Sequence, residues 1–169
     1  MPPAAGGPAI AFPSRVVGIA LGSAGRATLD KMDDLYRDYI LEHYRRPHNF
    51  GILEAPDARY EGANPLCGDR ITIMLGIRDG TIAEVAFTGR GCAISQASAS
   101  LLTDEIRGKP VAEVEKLTPD DILDMLGIEI SPARLKCALL SLDTLSHALA
   151  EREAGTAEGA ASTAPEPGA

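Results

Sequence analysis

The chain contains no tryptophan, three phenylalanines and four tyrosines, so aromatics make up 4% of its 169 residues. Proteins that grip single-stranded nucleic acid stack bases on such rings, and this chain has little to offer them. It also lacks an excess of positive charge. Sixteen Lys and Arg face twenty-four Asp and Glu, a formal net charge of -8 with a pI near 4.8. Phosphate-backbone binding needs the opposite balance, so no nucleic-acid partner is expected. Cysteine is scarce and odd in number, three in all. A secreted disulfide framework of this size carries more, in pairs. Reduced thiols in a cytoplasmic compartment are the expectation. No apolar run reaches the length of a membrane span, so no membrane partner is expected. Val16–Leu21 is short for the apolar part of a secretory signal and lacks a positive leader before it.

What is present is one domain's worth of chain with 45% hydrophobic residues. The composition divides it. Residues 1–31 and 153–169 are rich in Ala, Gly and Pro and have no apolar period. Such segments cannot offset their own ordering entropy, so a disordered extension and a disordered tail are expected around a folded 32–152. Met32 stands directly before the first strongly patterned helix and is an alternative translation start. The acidity belongs to the middle: residues 32–150 carry a net -7, against +2 before them and -3 after.

Within that middle the apolar period changes twice. Leu35, Tyr36, Tyr39, Ile40 and His43 recur at helical spacing up to Pro47. Ile71, Ile73, Leu75 and Ile77 then alternate with Thr72, Met74 and Gly76. Asp79-Gly80 is a turn signal, and Ala83, Val85 and Phe87 alternate after it. The spacing predicts an antiparallel hairpin of 70–77 with 81–88, and residues 58–63 are a candidate third strand. Helical spacing returns with Ile94, Ala97, Leu101 and Leu102 and stops near Gly108. A short turn opens at Pro110. Thr118, Pro119 and Asp121 give a cap, a first-turn proline and an acidic first turn for a helix ending at Gly127. Ser131-Pro132 starts a last helix with a stripe of Leu135, Ala138, Leu139, Leu142, Leu145 and Leu149. This order reads as α+β: a small antiparallel sheet of about three strands with helices packed on one face.

The three cysteines fall at element ends. Cys67 lies in the turn-forming run Asn64-Pro65-Leu66-Cys67-Gly68-Asp69, before the first hairpin strand. Cys92 follows Gly89-Arg90-Gly91 after the second, at a helix start, and Cys137 lies early in the last helix. Because the hairpin strands are antiparallel, the start of one lies beside the end of the other, and Cys67 and Cys92 flank those points. A free cysteine is by itself a small buried hydrophobe. These contexts are loops, however, and a helix N-terminus favours thiolate. Three thiols with the nearby carboxylate of Asp69 offer four ligands, which suit tetrahedral zinc or an iron–sulfur cluster. Other features have plainer readings. Ser95, Ser98 and Ser100 are small residues for close helix packing or capping, and His43, His48 and His147 are surface or partner-facing.

The cysteine motifs carry a resemblance. Asn64–Asp69, Gly91-Cys92-Ala93-Ile94-Ser95 with Ala97-Ser98-Ala99-Ser100, and Lys136-Cys137-Ala138 resemble those of the IscU/SufU/NifU-N family of iron–sulfur cluster assembly proteins. Leu35-Tyr36-Arg37, His43-Tyr44 and Pro47–Gly51 are similar to the family's opening helix, and the likeness covers about 33–150. It implies a SufE/NifU-like α+β fold and a site of Cys67, Asp69, Cys92 and Cys137 holding Zn2+ or a [2Fe–2S] cluster. It implies a cysteine desulfurase partner, SufS-like or IscS-like, and recipient apoproteins or a downstream scaffold. Cys67 by likeness to SufU, and Cys137 by likeness to IscU, are the implied sulfur acceptors, which makes the chain at most a zinc-dependent sulfurtransferase. The motifs lean toward SufU, since Lys136 stands where IscU carries a histidine and the chaperone-binding stretch of IscU is replaced by Ser131–Lys136. The 45-residue step from Cys92 to Cys137 leans the other way, because typical SufU proteins carry an insertion there. The alternatives are a [2Fe–2S] scaffold of the IscU type and a zinc-stabilised interaction domain without sulfur chemistry.

Overall fold

A computed structural model describes residues 23–161, with side chains described at 31 and 34–155. The expectations for residues 1–22 and 162–169 lie outside the described residues. The element order is α1 (Ser23–Arg45), β1 (Ala58–Asn64), β2 (Asp69–Arg78), β3 (Thr81–Arg90), α2 (Ala93–Ile106), α3 (Val111–Val114), α4 (Pro119–Leu126), a 3₁₀ turn Pro132–Arg134, and α5 (Leu135–Ala161). Helix therefore crosses the compositional boundaries at 31–32 and 152–153.

The strands form one antiparallel sheet in the order β1-β2-β3. Asp69 of β2 pairs with Asn64 of β1, and Arg70 pairs with Arg90 of β3. The alternation seen in the sequence is the reason for the core. Ile71, Ile73 and Leu75 point to one face with Val85 and Phe87, and all five are buried. Each such side chain contributes about 1.5–3 kcal/mol on burial. Helices α2 and α5 pack on this sheet, supplying Ala97, Leu101, Leu102, Leu142, Leu145 and Leu149 to the same cluster. The expected α+β arrangement is the one observed. At the edge of β3, Phe87 N–H donates to Asn49 O and Gly51 N–H donates to Phe87 O, both at 2.9 Å. The chain after α1 thus covers that edge.

Two local features follow from sequence chemistry. Thr118 caps α4 in a reciprocal box with Asp121, worth about 1 kcal/mol, and Gly127 ends that helix with φ 62°. Ser98 fits between helices as a small polar residue: its hydroxyl donates to Ala138 O of α5 at 2.6 Å and meets Ser141 Oγ at 2.7 Å. The helical spacing before Pro47 is realised in α1, which ends at Arg45. Of the stripe on α1 only Ile40 and His43 are buried, while Leu35, Tyr36 and Tyr39 stay exposed. Helix α1 rests on α2 rather than on the sheet, so a narrower face is covered. His43 is accordingly interior rather than surface-facing, whereas His48 and His147 are half-exposed or more.

Candidate metal centre

The site forms where β1 ends, β2 begins and β3 ends. Asn64 closes β1, and the turn after it brings Gly68 N–H onto Asn64 O at 2.8 Å, with Gly68 at φ +73°. The Asn64 side chain works twice. Its Oδ1 accepts from Leu66 N–H at 3.1 Å, shaping the turn that carries Cys67, and its Nδ2 donates to Cys137 Sγ at 3.7 Å. Asp69 opens β2 and is buried. On the other strand, Gln96, with its amide oxygen turned toward β3, accepts from the N–H groups of Arg90 and Gly91 at 3.1 and 3.2 Å. That fixes the loop ahead of Cys92, the N-cap of α2.

These elements bring ligand atoms of Cys67, Asp69 and Cys137 within 4.8 Å of one another. The two sulfurs lie 3.2 Å apart. Cys92 enters differently: its N–H donates to Asp69 Oδ1 at 3.3 Å, and its thiol lies 3.8 Å from Ser95 Oγ. Its sulfur is outside the 4.8 Å group. The thiols are graded, with Cys67 exposed, Cys92 half-buried and Cys137 buried.

The electrostatics are those of a cation site with its protons still on. Asp69 Oδ2 is buried and has no hydrogen-bond partner among the described residues. A buried carboxylate oxygen without a donor costs free energy that a cation would recover. Burial pushes the Asp69 pKa up, but hydrogen bonds from Cys67, Ser95 and Cys92 outweigh it and hold the carboxyl below its ordinary value. Burial, then the hydrogen bond with Cys67 and the negative groups around it, pushes the Cys137 thiol up to about 12. Two sulfurs, an orphaned oxygen and a third thiol at the rim suit tetrahedral zinc or iron, which take S and O ligands.

Sequence reasoning passed over Asn64 and Gln96 as supports. Asn64 stood inside the quoted motif, and an Asn before a proline turn is a known side-chain hydrogen bonder. Gln96 gave no signal, because its partners are backbone groups of another element.

Fold and site together define a small α+β domain that gathers thiols and a carboxylate at the open end of a three-stranded sheet. The chain belongs to the NifU-like N-terminal domain family, which it matches over residues 35–158. It is 34% identical over 141 residues to the zinc-dependent sulfurtransferase SufU of Bacillus subtilis, covering 73% of this chain and 95% of that protein. It is 32% identical over 117 residues to the iron–sulfur cluster assembly scaffold protein IscU 1 of Archaeoglobus fulgidus, covering 69% and 76%. Among solved structures, the N-terminal NifU-like protein of Brucella abortus superposes with a TM-score of 0.59 at 26% identity, covering 73% of this chain and 97% of that one. The iron–sulfur cluster assembly resemblance read from the motifs is therefore upheld.

Proposed function

We propose that the protein accepts sulfane sulfur from a cysteine desulfurase at a site of Cys67, Asp69, Cys92 and Cys137 and so supports iron–sulfur cluster building. The observation that carries this reading is the unpartnered buried Oδ2 of Asp69 beside two sulfurs 3.2 Å apart. Zinc, when bound there, keeps the sulfurs deprotonated and protects them from oxidation.

Cys67 is the first acceptor because it is the exposed thiol. Its thiolate attacks the outer sulfur of the desulfurase persulfide. A new S–S bond forms on Cys67, the bond to the desulfurase cysteine breaks, and that cysteine leaves as thiolate with no net redox change. Leu66, 77% exposed, gives an apolar lip that a docked partner would cover. Cys137, interior and held by Asn64, is the second acceptor. The expected unit of this function is 32–152, in a cytoplasmic setting; among the described residues no helix is long and apolar enough to cross a membrane.

A second reading, a [2Fe–2S] scaffold, is favoured by the short step from Cys92 to Cys137 and by the IscU relatives. One experiment separates them: metal and acid-labile sulfide content of anaerobically purified protein, followed by its effect on desulfurase turnover. One zinc per chain, no sulfide and a stimulated desulfurase support sulfur acceptance. Iron and sulfide in equal amounts with a visible absorption band make it a scaffold. Zinc that only holds the fold, with no effect on the desulfurase, overturns both.

A further inference from the structure

The end of α1 and the last turn of α2 hold a second cluster that the thiol site does not use. His43 lies in the last turn of α1, His48 follows Pro47, and Asp104 lies on α2. A ring nitrogen of each histidine and a carboxylate oxygen of Asp104 lie within 4.8 Å of one another. The imidazoles are tilted by 55° with centroids 4.5 Å apart, so they do not stack flat.

We propose that His43, His48 and Asp104 form a second binding site for a divalent transition-metal ion, separate from the thiols. Two of the three ligands, His43 and Asp104, are already held by an outer partner, as in metal sites generally. Ser100 Oγ bonds His43 Nδ1 at 2.8 Å and accepts from His48 N–H at 2.8 Å. Asn49 Nδ2 donates to Asp104 Oδ1 at 2.8 Å.

The plain alternative is a surface ion pair, since His48 Nδ1 and Asp104 Oδ2 are 2.5 Å apart. An ion would replace the shared proton and open that contact to about 3.4 Å, the ligand separation of a tetrahedral site with bonds near 2.1 Å. Both side chains are about half exposed, so they can make that adjustment and an ion can reach them. Two imidazoles and one carboxylate select zinc, ferrous iron, cobalt or nickel over magnesium or calcium, which prefer oxygen alone. Three protein ligands leave a position for water. Asp104 stands twelve residues along α2 from Cys92, about 18 Å at the helical rise, so the sites fill independently. An ion here would tie α1 to α2, adding to the contacts made by Ile40 and His43, the buried side chains among those described on α1.

The test is an anaerobic Co2+ titration of the reduced, metal-free full chain, read by absorption and by the paramagnetic shifts of the histidine ring protons. Sulfur-bound cobalt gives intense near-ultraviolet charge transfer; the second site gives weak visible bands alone. The expected result is a binding step that adds no sulfur bands beyond those of the thiol site, shifts His43 and His48 and spares His147. His48→Gln and Asp104→Asn should each lose that binding, while His147→Gln keeps it. Retained circular dichroism in the variants shows that folding is intact. Sulfur-free cobalt binding that is absent from the parent chain, or that survives both variants, overturns the proposal. The result is read without reference to what the thiol site does.

Discussion

Gly91 stands where any side chain would meet the carboxylate of Asp69: a Cβ there would lie 2.7 Å from Asp69 Cγ, 2.8 Å from its Oδ1 and 2.6 Å from Ser95 Oγ. The glycine before Cys92 thus makes room for the carboxylate that Cys92 N–H then holds. Gly91→Ala should cost about 1–3 kcal/mol of overpacking strain, with metal affinity falling alongside. Urea unfolding and a zinc-chelator competition measure the two. Unchanged values in both would show that Asp69 does not occupy this space in solution.

Asp69 is the one buried carboxylate of the site, and its Oδ2 has no donor among the described residues. Asp69→Ala should keep the fold, as read by circular dichroism, and release bound metal to a chelator faster by about tenfold or more. Sulfur transfer from a desulfurase should change with it. If metal exchange and transfer both match the parent protein, Asp69 is not a ligand.

The metal-free state has a pH signature. Cys137 keeps its proton until about 12, above the ordinary thiol value of 9.0. A folded-state pKa raised in this way adds stability that is fully present below about 9 and lost as pH climbs toward 12. Denaturant midpoints of the apo protein should fall across that window, and Cys137→Ser should flatten the fall. Native-state alkylation at neutral pH should strike Cys67 first and Cys137 last, since the former is exposed and the latter buried. Equal rates at all three would contradict the grading.

Local chemistry made much of this legible in sequence. Thr118 and Gly127 bounded α4 because capping and left-handed glycine act within a few residues. The hairpin was readable from alternation around Asp79-Gly80, and the pairing of β2 with β3 then brought Asp69 near Cys92. Contacts across long sequence gaps were not readable. His43 meets Ser100 across 57 residues, and no period or spacing announces that. The helix α1 was legible in its period and its burial was not, for a related reason: periodicity shows which face is apolar, not how much of it a neighbour will cover.

The approach of α5 to the sheet depends on Gly62 of β1. A Cβ at this position would lie 2.0 Å from Thr144 Oγ1 and 3.2 Å from Thr144 Cβ. Thr144 has little freedom to retreat, because it is fully buried and its hydroxyl donates to Leu140 O at 2.7 Å. Gly62→Ala should therefore push α5 off β1 at a cost of about 3 kcal/mol. Cys137 rides on α5, and Asn64, which holds it, lies two residues beyond Gly62. The displacement should then raise native-state alkylation of Cys137 before global unfolding does. Thr144→Ala removes the hydroxyl and leaves Thr144 Cβ at 3.2 Å and Leu140 Cδ1 at 3.5 Å, so the double variant should recover part of the loss, a coupling of about 1 kcal/mol or more. Strictly additive single effects, with Cys137 no more reactive than before, would mean that the spacing between β1 and α5 is set elsewhere and that the thiol pair does not depend on it.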